Sequence, residues 1–359
     1  IDGILHSSLR LPKNVNSAII SRIKILANLK IDEQRIPQDG RFHMDLGNRS
    51  VDFRVSTLPL MYGEKVVMRL LDKTSSVPTL DQLGVRGKAK TWVLDNIKKP
   101  HGIFLITGPT GSGKSTTLYA ILSMLNTAGV NIVTLEDPVE YFIEGVNQSQ
   151  INPDVGLTFA SGLRSILRQD PNIIMVGEIR DQETAELAVH AALTGHLVFS
   201  TLHTNNAVGA IPRMMNMDIE SFLLSASLNL IMAQRLVRKL CEDCKVPVEP
   251  TAIIKKEIEK ELIGVPAEYI EGIDPKKYKV YNPKGCDRCG QSGYKGRLGI
   301  YEILPILQEL QELAFSQEPA YKIYEAALKF GVISMKQDGV VKVLNGETTM
   351  EEILRVTSE

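Results

Sequence analysis

The chain has 359 residues, of which 43% are hydrophobic and 23% are charged, and its formal net charge is −1. This composition is that of an ordinary globular protein with enough apolar material for a core, and the length suits two domains. The near-neutral charge gives no support for nucleic acid as the main partner. No apolar run approaches the roughly 18 residues that a membrane span needs, and no stretch reads as a secretory signal. We therefore expect a cytoplasmic protein without direct membrane insertion.

The first part of the chain reads as a small α+β domain. Ile1-Asp2-Gly3-Ile4 reads as a strand that turns through Asp-Gly without a partner before it, so we expect a fragment of a longer protein. Apolar residues at helical spacing predict an amphipathic helix over residues 14 to about 30. Pro37-Gln38-Asp39-Gly40 predicts a turn. Three strand-like segments follow, at residues 41–46, 50–56 and 65–71.

Two arginines lie on the polar faces of these strands. Strand alternation places Arg54 opposite the core-facing residues Val51, Phe53 and Val55. Arg69 likewise opposes residues predicted to face the core, namely Val66, Met68 and Leu70. Arginines on one sheet face could clamp phosphate groups as arginine fingers. Spacing alone favours the alternative, a solvated face.

Beyond residue 80, helical patterns alternate with short, continuous apolar runs. The runs lie at residues 103–106, 131–135, 173–176 and 197–202. Such runs are typical of parallel strands that are covered on both faces. The sequence therefore predicts an α/β domain with a doubly wound parallel sheet, in which ligands lie at the carboxyl ends of the strands.

The first of these runs leads into the motif G-x-x-x-x-G-K-S. Its glycines let backbone N–H groups turn inward around a phosphate chain, and the helix that follows directs its positive end at the same anion. Lys114 is expected to reach the β and γ phosphates of ATP, and the hydroxyl of Ser115 to bind Mg²⁺. The predicted nucleotide-binding set is Gly108, Pro109, Thr110, Gly111, Ser112, Gly113, Lys114, Ser115 and Thr116.

Carboxylates follow two of the other predicted strands. Glu136 and Glu140 bracket the segment Glu136-Asp137-Pro138-Val139-Glu140, and Glu178 lies in Gly177-Glu178-Ile179-Arg180-Asp181. We interpret Glu178 as the group that orients and polarises the attacking water. Glu136 and Glu140 are expected to hold Mg²⁺ through water or to position that water. The alternative is that all three are solvated loop charges.

The fourth strand is bracketed by His196 and His203. Their spacing projects the two imidazoles to opposite faces, so both cannot be ligands of one small site by geometry alone. His203, at the carboxyl end of the strand, is the better candidate for a contact with the γ phosphate. A structural, hydrogen-bonded histidine is the alternative.

All four cysteines occur in two Cys-x-x-Cys pairs. This pattern is a strong signal for a structural zinc site with four thiolate ligands, Cys241, Cys244, Cys286 and Cys289. Gly290 and Gly293 free the backbone for the second turn. The long separation between the pairs predicts an inserted lobe. Disulfides and a redox Cys-x-x-Cys are the alternatives, and neither explains the duplication in a cytosolic chain.

Taken in order, these segments resemble the GspE/PilB family of secretion and type IV pilus assembly ATPases. The resemblance covers nearly the whole chain. It rests on these segments: Pro37-Gln38-Asp39-Gly40-Arg41, Arg54-Val55-Ser56-Thr57, the G-x-x-x-x-G-K-S loop, Glu136-Asp137-Pro138-Val139-Glu140, Gly177-Glu178-Ile179-Arg180, Thr194-Gly195-His196 through His203, Gln234-Arg235-Leu236 and both cysteine pairs.

The resemblance implies a RecA-like P-loop ATPase domain over residues 81–359, preceded by a linker at 75–80 and a PAS-like second N-terminal domain at 1–74. The ATPase domain would carry a zinc lobe at about 238–298 and C-terminal helices at about 306–359. The implied roles are Walker A for Lys114 and Ser115, Asp box for Glu136 and Glu140, catalytic glutamate for Glu178, His box for His196 and His203, and nucleotide-facing arginines for Arg41, Arg54 and Arg69.

The resemblance also implies a cytoplasmic homo-hexamer that uses ATP and Mg²⁺ and works on an inner-membrane platform protein. The zinc lobe points to an extension or secretion motor, because retraction ATPases of similar fold typically lack it. We expect a pilus assembly motor, with a type II secretion motor as the alternative. A nucleotide-binding switch and a DNA-translocating motor are the more distant alternatives.

Overall fold

The computed structural model describes residues 2–47, 49–72, 77–274, 278–315 and 318–358. Contacts between residues divide the chain into two compact units. The first unit contains Gly3–Val77 with Glu140–Phe142, and the second contains Asp2, Pro78–Val139 and Ile143–Glu359. The division falls within the predicted linker, of which residues 75 and 76 lie outside the described residues. No helix in the described ranges combines the length and apolar character that crossing a bilayer requires.

The first unit combines one helix with a three-stranded antiparallel sheet. Its elements are α1 (Asn16–Leu26), β1 (Gln38–Leu46), β2 (Arg49–Leu60) and β3 (Gly63–Asp72). The strands are hydrogen-bonded in the order β1-β2-β3. This confirms the predicted helix and three strands, although each strand is longer than predicted and the helix ends earlier. On the inner face of β2, Val51 and Val55 are buried as expected.

Two local predictions in this unit were wrong. Residues 38–40 are the start of β1, paired with Val55, Ser56 and Thr57, and do not form a turn. Gly40 is required instead for a close approach, because a Cβ there would lie 2.4 Å from the carbonyl oxygen of Ala27. The predicted turn through Asp2 and Gly3 is present, but Ile4 does not lie in a strand; Ile1 lies outside the described residues.

Strand β3 buries less than its alternation predicted. Met68 and Leu70 were expected to face the core, but they are 48% and 55% exposed. Helix α1 packs near the other end of this edge strand, where Lys24 Nζ lies 2.7 Å from Glu64 Oε1. Exposure therefore increases along β3 with distance from α1.

The second unit is built on a seven-stranded sheet with helices between the strands. In chain order its elements are α2 (Leu80–Leu83), α3 (Gly87–Ile97), β4 (Gly102–Thr107), α4 (Lys114–Leu125), β5 (Ile132–Glu136), β6 (Asn147–Gln150), α5 (Phe159–Ile166), β7 (Ile173–Val176), α6 (Gln182–Leu193), β8 (Leu197–Leu202), α7 (Ala210–Met215), α8 (Ser221–Ser227), β9 (Leu228–Leu240), β10 (Lys245–Val248), α9 (Ala252–Glu261), β11 (Val280–Pro283), β12 (Tyr294–Pro305), α10 (Gln308–Phe315), α11 (Ala320–Lys329), α12 (Met335–Leu344) and α13 (Met350–Thr357).

The strand order in this sheet is β12-β9-β4-β8-β7-β5-β6. Every pairing is parallel except that of β12 with β9. All residues of β4, β5, β7 and β8 are buried, as expected for parallel strands covered on both faces. The doubly wound α/β fold is thus confirmed. It also has an antiparallel edge strand, β12, that no apolar run predicted.

The chain between the two cysteine pairs contributes a two-stranded sheet and a helix. Strands β10 and β11 pair antiparallel, and α9 lies between them in sequence. Lys336 of α12 pairs with Glu257 of α9 at 2.5 Å, so this segment packs on the C-terminal helices. Helices α10 to α13 follow β12. The bounds of a zinc lobe and of a helical end of the domain stay predictions.

A buried carboxylate on helix α13 forms a salt bridge with an arginine of β9. The side chain of Glu352 is 2% exposed, and its oxygens lie 2.7 Å from Arg238 Nη2 and 2.6 Å from Arg355 Nη2. Burial alone would raise the pKa of Glu352, but the hydrogen bonds from Arg355 and Arg238 outweigh burial and lower it to about 2. A depressed pKa stabilises the fold above the unfolded-state value near 4.5, and this stability is lost as the pH falls toward 2.

We expect Glu352→Gln to lower the free energy of unfolding by about 3 kcal/mol at pH 7, since one pKa unit corresponds to about 1.36 kcal/mol. Urea titrations between pH 7 and pH 2.5 would measure this loss. The difference from the parent chain should shrink below about pH 4.5, because the parent then loses the same contribution. Glu351→Gln, an exposed neighbour on the same helix, is the matched control. A difference that stays constant with pH would contradict the assignment.

Candidate active site

The phosphate-binding motif connects β4, which lies inside the sheet, to α4. Gly108, Gly111 and Gly113 have φ values of 147°, 79° and 87°, a region that residues with a Cβ rarely adopt. The loop can therefore turn its N–H groups inward, and Lys114 opens the helix directly after it. The ammonium of Lys114 donates to the carbonyl oxygens of Gly108, at 2.8 Å, and Pro109, at 3.1 Å. Burial lowers the pKa of Lys114, and the charge of Glu178 opposes this shift.

Glu178 follows β7, and its carboxylate lies between a guanidinium and an imidazole. Arg180 Nη2 is 2.5 Å from Glu178 Oε1, and His203 Nε2 is 3.4 Å from Glu178 Oε2. The Glu178 side chain is largely buried, with 14% of its surface exposed. His203 follows the adjacent strand β8, and this explains the contact: the carboxyl ends of neighbouring parallel strands meet at one edge of the sheet.

The carboxylate of Glu136 is buried and engaged by its neighbours. Thr134 Oγ1 and Gln148 Nε2 donate to Glu136 Oε1 at 2.5 Å and 3.1 Å, and the hydroxyl of Tyr119 donates to Oε2. These donors hold the side chain in one orientation at the end of β5. Glu140, four residues later, belongs to the first compact unit. Its Oε1 lies 3.8 Å from Arg69 Nη1 of the same unit.

The two histidines lie at opposite ends of β8. His196 precedes the strand, its carbonyl accepts from Gly102 N–H at 3.1 Å, and its Nδ1 lies 2.9 Å from the carbonyl of Ala191. The phosphate-binding loop begins at the other end of β4. With about 3.3 Å per strand residue, His196 is roughly 20 Å along the sheet from His203. His196 therefore does not reach a phosphate on the P-loop of its own chain, and its assignment to nucleotide binding stays a prediction.

The three candidate arginines of the first unit form one row. Arg41 on β1 is paired directly with Arg54 on β2, and Arg54 is paired directly with Arg69 on β3. Directly paired residues of antiparallel strands share a face. One carboxylate already lies beside this row, since Glu140 Oε1 is 3.8 Å from Arg69 Nη1. The sequence could not show the row, because only the strand register brings the three residues together.

The four cysteine sulfurs form one cluster within 4.8 Å of one another. The distances are 3.9 Å for Cys241 to Cys286, 3.8 Å for Cys244 to Cys289 and 3.7 Å for Cys286 to Cys289. Four sulfurs at about 2.3 Å from a tetrahedral zinc would be about 3.8 Å apart, whereas a disulfide requires about 2.05 Å. The spacing of the four sulfurs therefore fits a tetrahedral zinc ion and does not fit disulfides.

The backbone around the second pair favours a thiolate. Burial raises the pKa of Cys289, but the N–H groups of Cys286 and Gly293, each 3.2 Å from its sulfur, outweigh burial and lower the pKa to about 6. Gly290 and Gly293 have φ values of 58° and 74°, which agrees with their predicted role in the turn. With four thiolate ligands, such a site is structural.

Two further residues contact the site, although no sequence pattern indicated a role for them. Arg180 pairs with Glu178, and Gln234 of β9 lies against the phosphate-binding loop. A Cβ at Gly108 would be 2.4 Å from the carbonyl oxygen of Gln234. Arg180 could have been found from the sequence, because it lies only two residues after Glu178. Gln234 could not, because only the strand order places it beneath the loop.

A parallel sheet with this loop after an inner strand, and with Glu178 and His203 at the ends of adjacent strands, defines a P-loop ATPase. The family described as "Type II/IV secretion system protein" matches residues 1–355. The chain belongs to this family of secretion and pilus ATPases.

Relatives named as type II secretion proteins and relatives named as pilus assembly ATPases are both similar to this chain along its whole length. Type II secretion system protein E of Aeromonas hydrophila is 50% identical over 100% of this chain and 69% of its own length. The type IV pilus assembly ATPase PilB of Myxococcus xanthus is 48% identical over 100% of this chain and 62% of its own length.

Solved structures agree with the fold. The pilus retraction motor PilT with bound ADP is 27% identical, with a TM-score of 0.64 over 90% of this chain and 78% of its own. The Legionella pneumophila ATPase DotB is 20% identical, with a TM-score of 0.68; the match covers 98% of this chain and 85% of the DotB chain. The second likeness supports the fold alone.

Proposed function

We propose that the chain is part of a hexameric ATPase that powers type IV pilus assembly from the cytoplasmic face of the inner membrane, through an inner-membrane platform protein. The observation that carries this proposal is Glu178, held between Arg180 and His203 in the domain that bears the P-loop. A type II secretion motor is the second candidate, since relatives of 50% and 48% identity carry the two names. Complementation of hosts that lack one motor or the other would distinguish them.

In the proposed mechanism each residue has a distinct task. Lys114 leaves the loop carbonyls to bind the β and γ phosphates, while the hydroxyl of Ser115 supplies a ligand for magnesium. When bound, Mg²⁺ neutralises charge that develops on the phosphates. Glu178 orients and polarises the attacking water, and His203 contacts the γ phosphate from the adjacent strand. Glu136 and Glu140 help to position that water.

The row Arg41, Arg54 and Arg69 is proposed to bind the phosphates of the nucleotide as arginine fingers. Three guanidiniums aligned on one sheet face suit a triphosphate, because arginine pairs well with phosphate oxygens. If the row acts on nucleotide held by a different copy of the chain, turnover requires assembly. The hexamer and the role of the arginines are therefore tested together.

We expect phosphate release per chain to rise with protein concentration as hexamers form, and to fall about 10³-fold in Arg54→Ala, the scale that arginine fingers contribute to phosphoryl transfer. Mass photometry would report the assembly state in the same samples. Arg35→Ala, which removes an exposed arginine of the first unit outside the row, is the control.

Equal turnover in monomers and hexamers would contradict the ring mechanism. Wild-type turnover in Arg54→Ala would contradict the arginine role alone. The same assay tests the distant alternatives. Negligible turnover at every concentration would favour a binding switch, and DNA-stimulated turnover with salt-sensitive DNA binding would favour a DNA translocase.

A further inference from the structure

Gln234 lies beneath both ends of the phosphate-binding loop. It is fully buried on β9, the strand next to β4. A Cβ at Gly108 would meet its carbonyl oxygen at 2.4 Å, and a Cβ at Gly113 would meet its Nε2 at 2.8 Å. Gly108 begins the loop and Gly113 ends it. One residue thus sets how closely the whole loop approaches the sheet.

The side chain of Gln234 is fixed at one end. Its Oε1 accepts a 2.8 Å hydrogen bond from Thr117 Oγ1, a buried residue in the first turn of α4. Tyr301, paired directly with Gln234 on β12, lies beside Thr117 and donates to the carbonyl of Leu83 at 2.9 Å. The amide is therefore held in one orientation, with its nitrogen toward Gly113.

The other end of the amide carries an unused donor. In the described part of the chain, Gln234 Nε2 is buried without a hydrogen-bond partner. Leaving a buried donor unpaired costs about 1–3 kcal/mol. The hydrogen bond from Thr117 accounts for the amide oxygen, but it leaves the Nε2 donor without a structural role. A donor aimed at the loop is useful if the loop accepts from it once phosphate is bound.

We propose that Gln234 is a positioning residue for the phosphate-binding loop, with Oε1 fixed by Thr117 and Nε2 donating to the loop when it closes on the nucleotide phosphates. The inference rests on ATP binding at this loop. It assigns no chemistry to Gln234 itself. It predicts that the donor matters for nucleotide affinity more than for the stability of the fold.

The test is ATP binding by calorimetry, the KM and kcat for Mg-ATP, and the unfolding temperature of each variant. Gln234→Glu keeps the acceptor for Thr117 and replaces the Nε2 donor. We expect its Kd and KM for ATP to rise about tenfold or more. Gln234→Met, which removes both polar atoms and adds no buried charge, should also weaken binding, with an unfolding temperature close to that of the parent. Met232→Leu, a buried residue two positions earlier on β9, is the packing control.

Equal ATP affinity in the parent, Gln234→Glu and Gln234→Met would overturn the proposal, as would an equal loss in Met232→Leu. If Gln234→Glu does not fold, Thr117→Val serves instead, because it frees the amide without altering Gln234; an unchanged Kd there would also overturn the proposal. A parent chain that binds no ATP would contradict the proposed function itself, so the two failures are distinguishable.

Discussion

Glu178→Gln should bind Mg-ATP with nearly the affinity of the parent chain and hydrolyse it about 10²–10⁴-fold more slowly, the range expected when a general base is removed. Glutamine keeps the size of the side chain and a hydrogen-bonding oxygen, but it cannot polarise a water molecule as a carboxylate does. Binding should persist because Lys114 and the loop, and not Glu178, hold the phosphates. Single-turnover phosphate release and calorimetric ATP binding would separate the two effects.

Two controls sharpen this test. Glu186→Gln removes a carboxylate from α6 that accepts a hydrogen bond from Gln182 Nε2 at 2.9 Å, and it should leave turnover unchanged. Arg180→Ala removes the partner of Glu178 at 2.5 Å while leaving the carboxylate. Turnover in Glu178→Gln close to that of the parent would exclude Glu178 as the group that activates water.

Zinc removal has the second largest expected effect. We expect one zinc per chain by mass spectrometry of the metal, and loss of that zinc in Cys286→Ser. Because ligation energy is also folding energy, the unfolding temperature should fall by about 10 °C, corresponding to about 4 kcal/mol in a domain of this size. Differential scanning calorimetry would measure the shift.

Asp287→Asn is the matched control for the cysteine variant, because Asp287 lies in the same turn and supplies no sulfur. It should keep both zinc and stability. Thiol counting under denaturing conditions tests the disulfide alternative. Four free thiols after metal removal are expected, whereas a stable protein without metal and with two disulfides would refute the zinc assignment.

Much of this protein was determined by sequence alone. The strands at residues 173–176 and 197–202 were predicted at their observed bounds, because strands covered on both faces are continuous apolar runs. The phosphate-binding loop and the cysteine pairs were evident for a related reason. Their chemistry depends on spacing within a few residues, which the sequence displays directly.

The tertiary structure decided what depends on long-range pairing. Strand β6 is the polar tetrad Asn147–Gln150, and β9 interrupts its apolar residues with Gln234 and Arg235, so neither carries a clear strand pattern. The register alone aligned Arg41, Arg54 and Arg69. Gln234 reached the phosphate-binding loop only through the strand order. Local spacing determined which groups could act, and strand pairing determined which of them meet.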